Sequence, residues 1–176
     1  MERNWSEVRS EVKDFVENEV YPAEPILEKR DDESSKKLSE LMQLAKDKNL
    51  WALGHPKDIG GQGMPFMEYV YVNEVVGRSA PSMVALGTHS LQDSIMLREF
   101  ASKRWRDTYL EPLVAGEIFP SFAMTEPDIS SSDPTQLQTT AILDGDEWVI
   151  NGRKWFTTGA ARATYTTVMC LSLIHI

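Results

Sequence analysis

Leu110-Glu111-Pro112-Leu113-Val114-Ala115-Gly116-Glu117-Ile118-Phe119-Pro120-Ser121-Phe122-Ala123-Met124 is the stretch in which the chain changes period. Up to about Gly116 the apolar residues recur three and four apart, the spacing of one helix face; after Ile118 they fall into short apolar or alternating runs, the spacing of strands. Upstream, Trp5, Val8, Val12, Phe15, Val16 and Val20 form a first helical stripe that Pro22 and Pro25 should close. Leu38, Leu41, Met42, Ala45 and Leu50 form a second, after a charged link at 28–33 and with Ser34 or Ser35 as its cap. A third covers 66–76, with Phe66, Met67, Val70 and Tyr71 facing inward and Gly77 ending it, and further helices fit 82–88, 91–100 and 102–115. Downstream, residues 119–124 read as a strand, 138–143 alternate weakly, and 147–150 read as a strand after the Asp144-Gly145 turn signal. Asn151-Gly152 then reads as a hairpin turn leading into a returning strand at 153–158, with one more strand at 164–170. Helices followed by an antiparallel sheet make the chain α+β.

The 176 residues leave room for one domain or two small ones. A net charge of −9 argues against a general nucleic-acid role, although a local basic patch would still hold a phosphate-bearing ligand. Cys170 is the only cysteine, which excludes an internal disulfide framework and a thiolate zinc cluster and fits a reducing compartment. The charged N-terminal stretch has no secretory apolar core, and no apolar run approaches the ~20 residues that span a bilayer. A soluble, cytoplasmic protein is expected.

Metal chemistry has little support: His55, His89 and His175 lie at no ligand spacing and read as structural or surface histidines. No dinucleotide fingerprint, Walker-type lysine loop or nucleophile elbow is present. Gly60-Gly61-Gln62-Gly63 reads as a flexible turn before a helix or, less simply, a phosphate cradle. Two segments are more informative. At 122–133 a strand end runs into a threonine, a proline-fixed turn and three serines between aspartates. Such a segment either binds the edge of a polar heterocycle or phosphate through amides and hydroxyls, or caps its own backbone in solvent. At 155–159, period two sets Trp155 and Thr157 on one face and Phe156 and Thr158 on the other, either to meet a flat cofactor or as ordinary strand residues. Arg153, Lys154 and Arg162 add local positive charge, as solvated surface or as phosphate holders.

At these two segments the sequence resembles the acyl-CoA dehydrogenase family, and several motifs fall in order. Pro56-Lys57-Asp58-Ile59-Gly60-Gly61-Gln62-Gly63 is similar to the family's Pro-x-x-x-Gly-Gly-x-Gly turn, and 69–78, with Glu74 and Gly77, to the helix after it. Tyr109-Leu110-Glu111-Pro112-Leu113-Val114-Ala115-Gly116-Glu117 resembles the segment that ends the family's helical domain. Phe122-Ala123-Met124-Thr125-Glu126-Pro127 and Asn151-Gly152-Arg153-Lys154-Trp155-Phe156-Thr157-Thr158-Gly159 resemble its two flavin-contacting strands.

The resemblance implies an all-α N-terminal domain at 1–117 and, at 118–170, an incomplete antiparallel β-barrel domain with flavin-binding strands. It also implies a flavoenzyme of fatty-acid β-oxidation: FAD accepts a hydride from the β-carbon of an acyl-CoA while a glutamate removes the α-proton, giving the enoyl-CoA. By position, Phe122, Ala123, Met124 and Thr125 would contact the isoalloxazine, with Thr125 on its polar edge. Phe156 would pack on the ring system, where many relatives have Trp. Thr157 and Thr158 would complete the contact, with Thr158 at the reactive flavin nitrogen. Ser131 and Ser132 would lie near the cofactor, and Ser132 near the substrate thioester or CoA phosphates. Electron-transfer flavoprotein is the implied acceptor, and a homodimer or homotetramer the implied assembly. Another flavoprotein on the same scaffold, an oxidase or monooxygenase, and a non-catalytic remnant stay open as alternatives.

One departure stands out. Many relatives read Thr-Glu-Pro-Gly-x-Gly-Ser-Asp, whereas Thr125-Glu126-Pro127-Asp128-Ile129-Ser130-Ser131-Ser132-Asp133 is one residue longer and lacks the glycines, like a branch with longer, branched or hydroxylated substrates. The family's β-domain is longer than 118–170, and its C-terminal four-helix bundle carries the catalytic glutamate in most members. No catalytic residue is therefore expected in this chain, which is expected to be inactive by itself, to bind FAD poorly and to expose an open sheet edge. Leu171-Ser172-Leu173-Ile174-His175-Ile176 matches one translation of a sequencing-adaptor end, so the natural gene is expected to run on after Cys170.

Overall fold

The computed structural model describes residues 3–130 and 133–172, which divide into two compact units, Met1–Glu117 and Ile118–Ile176. In the first, α1 (Trp5–Phe15) starts where the Asn4 side chain accepts the Ser6 N–H at 3.2 Å, and it buries Val8, Val12 and Phe15. The prolines expected to close this helix do not. The chain passes through a π-turn at Val16–Val20 directly into α2 (Tyr21–Leu27), which contains both Pro22 and Pro25. The wider turn, in which the Tyr21 N–H reaches back to the Val16 carbonyl, shifts the hydrogen-bond register just ahead of the first missing proline donor.

Helix α3 (Asp32–Asp47) is capped by Asp31 rather than by Ser34 or Ser35. The Asp31 carboxylate accepts the Ser34 N–H at 2.9 Å, while both serine hydroxyls donate to the Asp31 carbonyl. Helix α4 (Phe66–Val76) has the expected span but turns over the expected face. Tyr69, Val72, Val75 and Val76 are buried, whereas Phe66, Met67, Val70 and Tyr71 are exposed. With apolar residues around its whole circumference, spacing leaves two faces equally eligible, and packing against α1 buries the β-branched one. Arg9 fixes that orientation by bonding the Tyr71 carbonyl at 3.1 Å and the Glu74 carboxylate at 2.6 Å.

The unit is completed by α5 (Ala80–Ala85), α6 (Leu91–Phe100), α7 (Lys103–Trp105) and α8 (Glu111–Ala115), the last two joined by a second π-turn at Arg106–Leu110. The glycine-rich turn before α4 is structural. The Gly61 N–H donates to the Pro56 carbonyl, Gln62 to Ala52 and Gly63 to His55, so its amides are used internally and do not form a phosphate cradle. His55 beneath it is 1% exposed with Nε2 3.1 Å from the Ser90 hydroxyl, and burial, helped by nearby His89, pushes its pKa down to about 4. His175 lies outside the described residues, among which no three side chains are grouped to hold a metal ion.

The second unit has β1 (Pro120–Ala123), β2 (Thr140–Asp144), β3 (Glu147–Asn151), β4 (Tyr165–Val168) and β5 (Leu171–Ser172). The expected antiparallel pairing holds for the β2–β3 hairpin, which turns through Gly145 and Asp146. The other pairs, β1 with β4 and β2 with β5, are parallel. Residues 153–158 form no strand, and Asn151-Gly152 makes no hairpin turn. Gly152 answers a different need: a Cβ there would lie 2.3 Å from Thr139 Oγ1 and 2.7 Å from the Thr139 Cα, so a close backbone approach requires glycine. Strand β3 is exposed along its length, with Trp148, Val149 and Ile150 in the open.

Candidate functional site

The sequence singled out 122–133 and 155–159; of these stretches and their flanks, 121–126 and 154–158 lie side by side, and four interactions hold them there. The Trp155 N–H donates to the Thr125 carbonyl at 3.1 Å, and the Ser121 hydroxyl to the Thr158 carbonyl at 3.0 Å. Lys154 Nζ donates to the Met124 carbonyl at 2.8 Å and to Glu126 Oε1, also at 2.8 Å. Glu126 in turn accepts the Gln138 N–H at 2.8 Å and the Thr139 N–H at 2.9 Å. A Lys–Glu pair with side chains 11% and 4% exposed thus knits together the end of β1, the entry to β2 and the segment after β3. The Lys154 ammonium above all, with the Gln138 and Thr139 amides adding a smaller share, holds the Glu126 carboxyl at about 2, well under the ordinary carboxylate range.

This arrangement corrects the reading of Lys154 as solvated surface or phosphate holder, because its ammonium is spent on the chain's own carbonyl and carboxylate. Sequence singled out neither Glu126 nor its link to Lys154; the one available signal was a carboxylate and a cation inside the two segments expected to meet. Arg153 faces Asp128 at 3.6 Å in solvent, and Arg162 stacks 5.2 Å over the Phe119 ring, so each has a partner within the chain.

Of the expected contact residues, Ala123 is buried, while Phe122, Met124, Thr125 and Thr157 are half-buried. Phe156 and Thr158 are exposed; Ser131 and Ser132 lie outside the described residues. Without a strand at 153–158 the two aromatics do not face opposite ways. Trp155 and Phe156 touch, with ring centroids 4.6 Å apart and planes 38° from parallel. Phe156 is held at φ +51°, a left-handed backbone that a residue with a Cβ adopts at a cost, and the residue is 76% exposed. Its carbonyl accepts the Thr158 hydroxyl at 3.4 Å. The Thr125 N–H donates to no group among the described residues.

A solvent-facing aromatic pair, with Phe156 in a left-handed backbone, near an amide that has no partner among the described residues and a threonine hydroxyl, fits a flat group with a polar edge. The amino-acid pattern agrees with that geometry. Residues 4–117 match the N-terminal domain of acyl-CoA dehydrogenases, and residues 121–174 match their middle domain. The chain belongs to the acyl-CoA dehydrogenase family, a family of oxidoreductases with FAD-complexed members. It is 32% identical over 169 residues to acyl-CoA dehydrogenase family member 11 of Gallus gallus, spanning 90% of this chain and 21% of that protein. A family structure from Mycobacterium abscessus superimposes with a TM-score of 0.84 at 31% identity, over 96% of this chain and 46% of that one. The acyl-CoA dehydrogenase of Bacillus anthracis, solved in complex with FAD, gives a TM-score of 0.73 at 27% identity over 96% and 29%. The chain therefore spans less than half the length of each of these proteins.

Proposed function

We propose that this chain supplies the helical domain and the first cofactor-facing segments of an FAD-dependent acyl-CoA dehydrogenase, which converts an acyl-CoA to its enoyl-CoA. The observation that supports the reading is the meeting of 121–126 and 154–158, which brings the segment of Thr125 beside that of Phe156 and Thr158. FAD, when bound, supplies the hydride acceptor. The Thr125 amide and hydroxyl and the Thr158 hydroxyl hold its polar edge, stabilising negative charge that develops there. Phe156 and Trp155 cover the ring and keep water from it. Ser131 and Ser132 would add hydroxyls, and Ser132 would serve the thioester or CoA phosphates.

The α-proton would be taken by a glutamate from the part of the family protein that this chain does not span. The complete protein is a cytoplasmic homodimer or homotetramer of fatty-acid β-oxidation that passes electrons to electron-transfer flavoprotein. Among the described residues no helix is long and apolar enough to cross a membrane. The test is to express the complete coding sequence from the source genome and assay enoyl-CoA formation with an electron acceptor. Bound flavin with acyl-CoA-dependent reduction and slow reoxidation in air is the expected result. A purified protein without flavin overturns the reading, and fast reoxidation in air replaces it with an oxidase.

A further inference from the structure

We propose that Lys154 is a positioning residue of this site: its ammonium, locked by Glu126, polarises the Met124–Thr125 peptide and makes the Thr125 N–H a stronger donor to the cofactor. The inference rests on the functional reading above and names a residue that touches neither substrate nor cofactor.

The geometry supplies each link. Lys154 Nζ lies 2.8 Å from the Met124 carbonyl oxygen, and that carbonyl belongs to the same peptide group as the Thr125 N–H. Drawing electron density toward the oxygen leaves the N–H more positive, so a charged bond at one end strengthens donation at the other. At the donor end, the Thr125 N–H bonds no group among the described residues. The acceptor end is fixed: Glu126 holds the ammonium at 2.8 Å and is itself anchored by the Gln138 and Thr139 amides. Lys154 cannot swing to solvent without stranding a buried carboxylate.

Stability alone does not account for such a pair. A buried ion pair forfeits hydration that a well-packed apolar pair keeps, and replacing one by apolar side chains is often neutral or stabilising. What an apolar pair cannot do is charge one chosen peptide. Because Glu126 neutralises the ammonium nearby, the effect acts through the hydrogen-bonded peptide rather than as a broad positive field. A cofactor edge that becomes negative on reduction gains more from the strengthened donor than a neutral edge does, so Lys154 shifts relative affinity toward reduced FAD.

The test uses the complete flavoprotein and three variants, Lys154→Arg (charge kept), Lys154→Gln (donor kept, charge lost) and Lys154→Met (both lost). The readout is the midpoint potential of bound FAD, by reductive titration against a dye, with the visible flavin spectrum as a check on loading. Lys154→Arg should stay near the parent, Lys154→Gln should fall between, and Lys154→Met should lose about tenfold in preference for reduced FAD, a midpoint about 30 mV lower for a two-electron couple. Flavin-loaded variants with the parent's potential overturn the proposal. Should Lys154→Met take up no flavin, Lys154→Gln decides by the same criterion. A parent protein that takes up no FAD defeats the functional reading itself, which separates the two failures.

Discussion

The Ser121 hydroxyl donates to the carbonyl oxygen of Thr158 at 3.0 Å from a buried side chain, joining a strand to a segment that has no strand of its own. Without a ladder at 153–158, isolated bonds of this kind set where Phe156 and Thr158 sit. Ser121→Ala should cost about 1 kcal/mol, the net worth of one such bond. It should appear as a lower urea midpoint with an unchanged slope. An unchanged midpoint would mean that water takes over the Thr158 carbonyl.

Phe156 separates stability from function. Glycine at this position removes the left-handed penalty at φ +51° and little packing, because the ring is exposed. Phe156→Gly should leave the melting temperature unchanged or raised while FAD affinity of the complete protein falls severalfold. A variant that melts lower and holds FAD as tightly as the parent would reassign Phe156 to the core.

Two glycine-to-alanine changes should differ for a steric reason. A Cβ at Gly61 would lie 2.1 Å from the His55 carbonyl oxygen, so the turn must open; the cost should reach about 3 kcal/mol, the upper range for overpacking. A Cβ at Gly145 meets nothing within 4 Å, and only its φ of +60° is penalised, at about 1 kcal/mol. Thermal melts of Gly61→Ala and Gly145→Ala compare them, and equal losses would show that the 56–63 turn shifts freely.

Acid should weaken the fold in two windows. His55 is neutral in the fold with a pKa of about 4 against an ordinary 6.5, so the unfolded chain binds more protons between those values and stability falls as pH drops. The loss approaches about 3 kcal/mol by pH 4. Glu126 is also depressed, to about 2 from 4.5, so the stability it confers is complete above 4.5 and drains away toward 2. Urea midpoints from pH 7 to 4 for the parent and His55→Gln test the first window, where the variant should give the flatter profile.

Local rules carried the helical half well and the sheet half unevenly. The spans of α4 and α6 follow from their start and stop signals, because helix hydrogen bonds close within four residues of sequence. The inward face of α4 did not follow, since only the neighbouring α1 decides between two apolar sides. In the second unit, Asp144-Gly145 marks a real turn, whereas Asn151-Gly152 imitates one: Gly152 is required by Thr139, thirteen positions away and invisible to a local pattern. The candidate site was legible as two segments. What binds them was not, because a lysine read as part of a strand and a glutamate read as part of a turn give no sign in sequence that each will bury the other.

The parallel pairing of β1 with β4 also sets an order of events during synthesis. Pro120 pairs with Tyr165 and Ala123 with Val168, so β1 leaves the ribosome well before its partner exists, while the helices before it already have theirs. The helical unit can collapse on the growing chain, but β1 must wait, unpaired, until Val168 has emerged. Slowing translation between Ala123 and Val168 should therefore lengthen the exposure of one apolar strand to chaperones and proteases, and leave the helical half indifferent.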